Sequence, residues 1–270
     1  MYELSEKFES KLYIIKNMVR ELLFFVPRSI PEFTDHGIKH SERIEKILKN
    51  LLIPICNQSV DTELNEYECF CLIASCWLHD LGCIVSRKNH GIRSAQIVDK
   101  HLSHLFQGID NLEPYILKII STHTDSDEDK KNGTISLSSL FDEMDSDTIG
   151  PDSIDKTKIK IKLIASLFRL ADACDICTDR APSLVYKLIE EDLPEPSKKI
   201  WRAHLEITKI SINSQKKAFS IIVDNASIGK PVIDKFKKDV EELKFILNTL
   251  NFYYTEVEVI EIGGPDWKNI

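Results

Sequence analysis

The sequence lacks a long apolar run. The longest one, at 69–78, is about half of the roughly 18 residues that a membrane-spanning helix needs. The first residues also lack the pattern of a signal peptide, because Glu3, Glu6 and Glu9 precede the apolar side chains. We therefore expect a cytoplasmic protein without a membrane partner.

Regularly spaced cysteines and an excess of basic residues are also missing. The seven cysteines are an odd number, and four of them lie in or beside the apolar run, where free cysteine behaves as a small hydrophobic residue. We expect no disulfide bonds. Lys and Arg total 35 against 43 Asp and Glu, a net charge of −8, so duplex nucleic acid is not an expected partner. A small phosphorylated substrate in a local pocket is compatible with this charge.

Helical periodicity dominates the first two thirds of the 270 residues. The predicted helices cover about 6–26, 35–51, 62–78, 89–105, 112–123 and 158–177. The second is predicted to begin at an Asp35 N-cap and the third near Asp61 or Thr62. A stretch rich in Asp, Ser and Lys at about 124–157 is predicted to be a flexible insertion.

The composition changes at 190–196, an acidic segment with two prolines that is typical of a domain boundary. After it, Ala203, Leu205 and Ile207 alternate with polar residues, and the phase slips by one before Ile210. Alternation of this kind predicts a β-strand with a bulge.

The remaining pattern predicts a hairpin partner at 218–223, an amphipathic helix and a final strand. We therefore predict a mainly α protein. A helical domain at 1–192 is followed by a small α+β subdomain of ββαβ order at 197–270. This subdomain is predicted to cover the first domain or to form a homodimer contact.

Histidines concentrate at or near the ends of predicted helices. Five of the eight do so: His36, His40, His79, His90 and His123. Directly after His79 comes Asp80. Neighbours on a helix point about 100° apart, yet at a last turn closed by Leu81 and Gly82 both can contact one metal ion, and the carboxylate can bridge to a second. The helix end is therefore predicted to be a platform for metal ligands.

The order of a His, a His-Asp pair and a distant Asp resembles the HD superfamily of metal-dependent phosphohydrolases. The motifs that carry the resemblance lie at 40–44, 78–82 and 170–175. The resemblance implies an all-helical domain in which the metal is held by His40, His79, Asp80 and Asp172. Two short segments, Asp-His-Gly at 35–37 and Leu-Ala-Asp-Ala at 170–173, also resemble a subgroup of HD domains found beside ATPase or conflict-system modules.

The same resemblance implies two further ligands, His90 and His123, at places where family members with two metals carry additional histidines. The first ion would be held by four residues: His40, His79, Asp80 and Asp172. The second would be held by His90 and His123, with Asp80 bridging the two ions. Imidazole and carboxylate ligands suit Mn, Fe, Co or Zn, with Mg at a carboxylate-rich position.

Two such ions activate a water near neutral pH and steady both oxygens of an in-line displacement. We therefore predict hydrolysis of a phosphomonoester or phosphodiester bond, in a nucleotide, with Asp80 as a catalytic residue. Arg43 and Arg93, each one turn past a histidine ligand, are candidates to neutralise the phosphate. His36 is a candidate general acid or substrate contact.

Two alternatives stay open. The first is a metal-dependent nuclease for single-stranded nucleic acid, with a basic rim built from Lys130, Lys131, Lys156, Lys158 and Lys160. The second is a non-catalytic, metal-stabilised sensor or interaction module of a signalling or defence system. Bound metal without turnover of any substrate would favour the second.

Some residues are given a structural interpretation instead. His101, His104 and His204 belong to no motif and are predicted to be hydrogen-bonded core residues. Asp175, three residues after Asp172, is either a partner of the centre or a solvated side chain.

Overall fold

The computed structural model describes residues 4–123 and 159–263, so the predicted insertion at about 124–157 lies outside the described residues. The chain is mainly α-helical with a small three-stranded sheet near its C-terminal end, which confirms the predicted fold class. The helices are α1 Glu6–Leu23, α2 Val26–Ser29, α3 Ile38–Ile47, α4 Ile53–Cys56, α5 Glu66–Leu78, α6 His90–Ile97, α7 Glu113–Thr122, α8 Ile161–Ala173, α9 Ser183–Ile189, α10 Glu195–Leu205 and α11 Ala226–Thr249. The strands are β1 Ile207–Asn213, β2 Ala218–Val223 and β3 Glu256–Glu261.

The described residues form two compact units. The first comprises 4–30, 36–123 and 159–172, and the second comprises 31–35 and 173–263. The acidic segment predicted as a boundary lies inside the second unit, where it forms a 3₁₀ turn and the start of α10. The functional division into domains at 1–192 and 197–270 stays a prediction.

Helix α5 is the apolar centre of the first unit. Every residue from Glu68 to Leu78 is buried, and the helix contacts α1, α3 and α7. The ring of Phe8 on α1, for example, lies 4.8 Å from the ring of Phe70. Among the described helices, none has both the length and the apolar character needed to cross a membrane.

The start of α5 differs from the prediction near Asp61 or Thr62. The helix begins at Glu66, because Asn65 and Glu68 form a capping box. The Asn65 side chain accepts from the Glu68 N–H at 2.9 Å, and the Glu68 carboxylate accepts from the Asn65 N–H at 3.0 Å. This reciprocal pair satisfies two backbone donors that the helix itself leaves unbonded.

In the second unit, the predicted strand over Ala203 and Leu205 is wrong. Both residues lie in α10, where Leu205 joins Trp201 and Tyr186 in a buried cluster. Trp201 lies one helical turn before Leu205, so the two side chains share the buried side of the helix together with Ala203. The strand itself begins at Ile207.

The sheet confirms the predicted ββαβ order. Strand β1 pairs antiparallel with β2, and β2 pairs parallel with β3 after the crossover helix α11. The register shifts between Ile207 and Lys209, which confirms the predicted slip of phase. The ring of Phe219 on β2 lies 5.5 Å from that of Phe236, so α11 covers one face of the sheet.

Candidate metal centre

The His-Asp pair stands where α5 ends. His79 is the C-cap of α5, and Asp80 leads into a 3₁₀ turn at Leu81–Ile84. Both side chains are buried, about 1% exposed. Gly82 permits this turn to lie against α6, because a Cβ at position 82 would stand 2.2 Å from the His90 carbonyl oxygen.

A buried serine joins that turn to α6. The Ser94 hydroxyl accepts a hydrogen bond from the Gly82 N–H at 2.8 Å. It also lies within donating distance of the carbonyl oxygens of His79 and His90. The serine therefore sets the spacing between the end of α5 and the first residue of α6.

A second close approach brings α6 to α7. A Cβ on Gly91 would lie 2.8 Å from the Ile120 carbonyl oxygen and 3.1 Å from the His123 ring. With glycine there, the Nε2 atoms of His90 and His123 face each other at 3.0 Å.

Helix α3 supplies His40 from the other side of the centre. The helix begins at Ile38 with Gly37 as N-cap, so the predicted N-cap at Asp35 is wrong. His36 therefore precedes the helix. It is buried nonetheless, with its ring centroid 5.5 Å from that of His40.

All six predicted metal ligands meet in the first unit, around the two oxygens of Asp80. Oδ2 lies 3.4 Å from Nε2 of His40 and 3.3 Å from Nε2 of His79. Oδ1 lies 3.2 Å from Nε2 of His90. On the Oδ2 side, Asp172 Oδ1 stands 3.2 Å from His40 Nε2, and its side chain is about a quarter exposed.

Backbone carbonyls orient three of the four imidazoles in the same way. Nδ1 of His79, His90 and His123 lies 3.1, 2.9 and 2.6 Å from the carbonyl oxygen three residues earlier. A carbonyl can only accept, so Nδ1 of His79 and of His123 is assigned as the N–H donor, whereas Nδ1 of His90 also faces the donor Nη1 of Arg87. In the neutral ring Nε2 then carries the lone pair, which is the form in which histidine binds metals.

These lone pairs converge. Nε2 of His79 lies 3.2 Å from Nε2 of His40, and the pair formed by His90 and His123 is closer still. Facing lone pairs beside a carboxylate are stable only if positive charge lies among them. Nη1 of Arg87 lies 2.5 Å from Nε2 of His90, and a proton or a metal ion can supply such charge at the other rings. Oδ2 of Asp80 is fully buried and receives no hydrogen bond from the residues that the structure describes.

The electrostatics of His90 and His123 disfavour a proton on either ring. Burial lowers the pKa of His123 well below its ordinary value, and the neighbouring His90 and His79 lower it further. Burial also lowers the pKa of His90, and the adjacent Arg87 adds to the effect. The ring of Phe168 lies 6.0 Å from that of His123 and contributes to its dry surroundings.

Asp80 is ionised. Burial by itself would raise its pKa, but the imidazoles of His79 and His90 outweigh this and hold the pKa well below its ordinary value. The centre therefore combines an ionised, buried carboxylate with two imidazoles, those of His90 and His123, that burial keeps neutral. This donor set fits a divalent transition metal, and three groups within it could each hold one: His40, His79 and Asp172; His79, Asp80 and His123; and Asp80, Cys83 and His90.

Two residues of the centre were missed by the sequence analysis. Arg87 places Nη1 2.6 Å from Nδ1 of His90, and Cys83 places Sγ 3.5 Å from Oδ1 of Asp80. Both lie three residues from a ligand in the chain, the spacing by which Arg43 and Arg93 were chosen. Nothing else in the sequence distinguishes them.

The predicted arginines lie on the expected helices. Arg43 is half-buried on α3, one turn past His40. Arg93 is half-buried on α6, where its Nε donates to the carbonyl of Lys88 at 3.2 Å. In the second unit, Asp175 lies 3.7 Å from Nη1 of Arg180.

Histidines outside the motifs differ from one another. His204 is buried, with Nδ1 2.7 Å from the Ile176 carbonyl oxygen, as predicted for a core residue. His101 and His104 are exposed, so the same prediction is wrong for them. They follow the end of α6, where the buried positions are taken by Leu102 and Leu105.

Comparison with known families finds one matching family model. The model of a family described as HD-CE matches residues 30–233, about three quarters of the chain. The match includes all six candidate ligands, Asp80 among them. No curated protein gives a significant match to the chain.

Proposed function

The chain belongs to the HD-CE family, and from this premise we propose that it is a metal-dependent phosphohydrolase with a dinuclear centre. The first ion would be held by four residues: His40, His79, Asp80 and Asp172. The second would be held by His90 and His123, with Asp80 between the two ions.

The observation that carries the proposal is that the two oxygens of Asp80 lie near different histidines. Oδ2 lies within 3.4 Å of Nε2 of His40 and of His79, whereas Oδ1 lies 3.2 Å from Nε2 of His90, which in turn stands 3.0 Å from Nε2 of His123. With imidazoles beside both of its oxygens, this carboxylate could contact one ion through each oxygen. The arrangement therefore supports two cation positions rather than one.

Two divalent ions would supply an activated water and neutralise charge on the phosphate. The protein's own residues would orient and hold the substrate. Asp172 is the ligand with the most exposed side chain, which suggests that substrate arrives on its side of the centre. Arg87, next to His90, is well placed to pair with a phosphate oxygen, a role for which Arg43 and Arg93 are further candidates.

His36 is proposed as the proton donor to the leaving group. It is buried beside His40 without being among the groups that could hold a metal within the described residues. A histidine in such a position can move a proton while the neighbouring rings are held by the ions. The proposed bond is a phosphomonoester or phosphodiester in a small nucleotide.

No observation favours the nuclease alternative. Lys160, one member of the proposed basic rim, has its ammonium 3.5 Å from the Glu68 carboxylate and donates to the Glu63 carbonyl. The other members, Lys130, Lys131, Lys156 and Lys158, lie outside the described residues. The sensor alternative is decided by the experiment below.

The test measures copurifying metal first and then turnover. Nucleotides, cyclic nucleotides, short oligonucleotides and a generic phosphodiester would be assayed with Mn²⁺ and Mg²⁺. We expect about two ions per chain and turnover of at least one small nucleotide. His79→Ala should abolish turnover, whereas His101→Ala, which removes an exposed histidine outside the centre, should not.

Two outcomes would contradict the proposal. Metal bound at full stoichiometry with no turnover of any substrate would point to the sensor. Turnover that survives in His79→Ala would remove the centre from catalysis.

A further inference from the structure

Cys83 is a member of the centre to which the proposed function assigns no role. It lies in the 3₁₀ turn that follows Asp80 and is fully buried. Its Sγ is 3.5 Å from Oδ1 of Asp80, the oxygen that also faces His90. Donor atoms of Asp80, Cys83 and His90 all lie within 4.8 Å of one another.

We propose that Cys83 is a sulfur ligand of the second ion, together with His90 and Asp80. The proposal rests on the proposed dinuclear centre and deepens it, because it names the donor that makes the two ion positions different. The first position would then have only nitrogen and oxygen donors, whereas the second would add one sulfur.

The observed spacing fits a shared tetrahedral ion. With a zinc–sulfur distance of about 2.3 Å and a zinc–oxygen distance of about 2.1 Å, tetrahedral angles separate sulfur from oxygen by about 3.6 Å. The observed separation between Cys83 and Asp80 is 3.5 Å. The same geometry separates nitrogen from oxygen by about 3.4 Å, and Nε2 of His90 lies 3.2 Å from Oδ1 of Asp80.

The other buried thiols of the first unit have ordinary core surroundings. Cys76 lies in α5 with Sγ 3.3 Å from the Leu72 carbonyl, the usual bond of a helical cysteine to the preceding turn. Cys71 lies in the same helix and is equally buried. Cys83 instead has its sulfur beside the buried carboxylate of Asp80 and belongs to a potential metal group. A thiol and a carboxylate so close make only a weak hydrogen bond, whereas both can donate to one cation.

A sulfur donor would change which metal the second position prefers. Thiolate selects Zn²⁺, Co²⁺ or Fe²⁺ over Mg²⁺, which takes oxygen ligands. When the ion binds, a metal–sulfur bond forms and the thiol proton is released to the solvent, with no transfer of electrons. The second position should therefore discriminate against Mg²⁺ more strongly than the first.

Cobalt substitution tests the proposal without an activity assay. The full chain would be stripped with a chelator and reloaded with Co²⁺, and its absorption spectrum recorded. We expect a sulfur-to-cobalt charge-transfer band that is absent from Cys83→Ala and Cys83→Ser. Cys71→Ala, the matched control, removes an equally buried thiol and should keep the band.

Metal affinity gives a second measurement. In Cys83→Ser the weaker of two zinc-binding steps should lose at least about tenfold in affinity, while Mg²⁺ binding should not change. A loss of equal size for Zn²⁺ and Mg²⁺ would overturn the proposal. A damaged fold lowers the affinity for both metals, whereas the loss of a sulfur ligand lowers the affinity for Zn²⁺ alone.

The outcomes separate this proposal from the proposed function. Cobalt bound at two equivalents with no sulfur band, or a band that persists in Cys83→Ala, overturns the role of Cys83 and leaves the dinuclear centre in place. Failure to bind cobalt at all overturns both. If the Cys83 variants do not fold, X-ray absorption of the zinc-loaded wild type decides, with sulfur expected at about 2.3 Å and nitrogen and oxygen alone as the contradicting result.

Discussion

The two compact units bury histidine in opposite ways. In the first, four rings turn Nε2 toward one another and toward Asp80. In the second, His204 is the one histidine, and its Nδ1 is bonded to the Ile176 carbonyl. Burial and the nearby Arg180 lower the pKa of His204 to about 3, so this ring is neutral without any cation.

Burial alone therefore does not make a histidine a metal ligand. His204 and His123 are about equally inaccessible, and burial lowers the pKa of both. The difference lies in what the second ring nitrogen faces. At His123 it faces the imidazole of His90 at 3.0 Å, and the following changes test this difference between the two units.

The largest effect should come from Asp80→Asn, which removes the carboxylate charge that would balance the two proposed ions. We expect turnover to fall on the order of 10³-fold and the metal content to drop below one ion per chain. Metal analysis and phosphodiester hydrolysis measure the two effects. Asp234→Asn, which alters an exposed carboxylate paired with Lys230 in the second unit, should change neither. Full metal content in Asp80→Asn would contradict the bridging role.

The next effect contrasts two glycines. Gly82→Ala places a Cβ 2.2 Å from a backbone oxygen, which should destabilise the first unit by about 1–3 kcal/mol. Gly229→Ala, inside α11, places its Cβ no closer than 3.4 Å to any neighbour. It should stabilise the second unit by about 0.5–1 kcal/mol, since alanine is the better helix former. Urea unfolding monitored by hydrogen exchange distinguishes the units, and equal effects at the two sites would refute the contrast.

Protonation of His204 should weaken the second unit in acid. Its folded pKa of about 3 lies below the unfolded value of about 6.5, so the unfolded chain binds the proton first. The stabilisation is fully present above pH 6.5 and is lost as the pH falls toward 3. Between pH 6.5 and pH 5 the loss is about 2 kcal/mol.

This loss can be measured as protection of α10 amides against hydrogen exchange in urea. In His204→Gln the pH-dependent part should disappear, while in His101→Ala, which changes an exposed ring, it should remain. An unchanged pH dependence in His204→Gln would assign the effect to other groups.

The smallest effect is expected at the surface of α11. Lys235 and Asp239 form an i,i+4 ion pair at 3.0 Å, with the lysine largely exposed. Lys235→Gln should cost no more than about 0.5 kcal/mol, because water and salt screen such pairs. The loss should vanish at high salt, and a persistent loss would mean that the lysine stem packs against the helix.

Local sequence signals predicted much of this molecule. Apolar periodicity located the longer helices of the first unit and α11, and alternation located β2 and β3, because those patterns depend on neighbours a few residues apart. The helices α9 and α10 were not predicted. The same local signals gave a wrong prediction where a strand and a helix end are both compatible with one apolar pattern. Leu205 fits a strand or the last turn of a helix, and only its contact with the cluster around Trp201 decides for the helix.

The chemical types needed for a metal centre were also set by the sequence, since His79 and Asp80 are adjacent and the other donors follow in a fixed order. Which nitrogen faces which oxygen was decided only by packing. Gly82 and Gly91 let α5, α6 and α7 approach closely enough for the lone pairs to converge, and that approach brought in Cys83 and Arg87. Contacts between distant segments depend on side-chain volume in three dimensions, and no spacing along the chain records that volume.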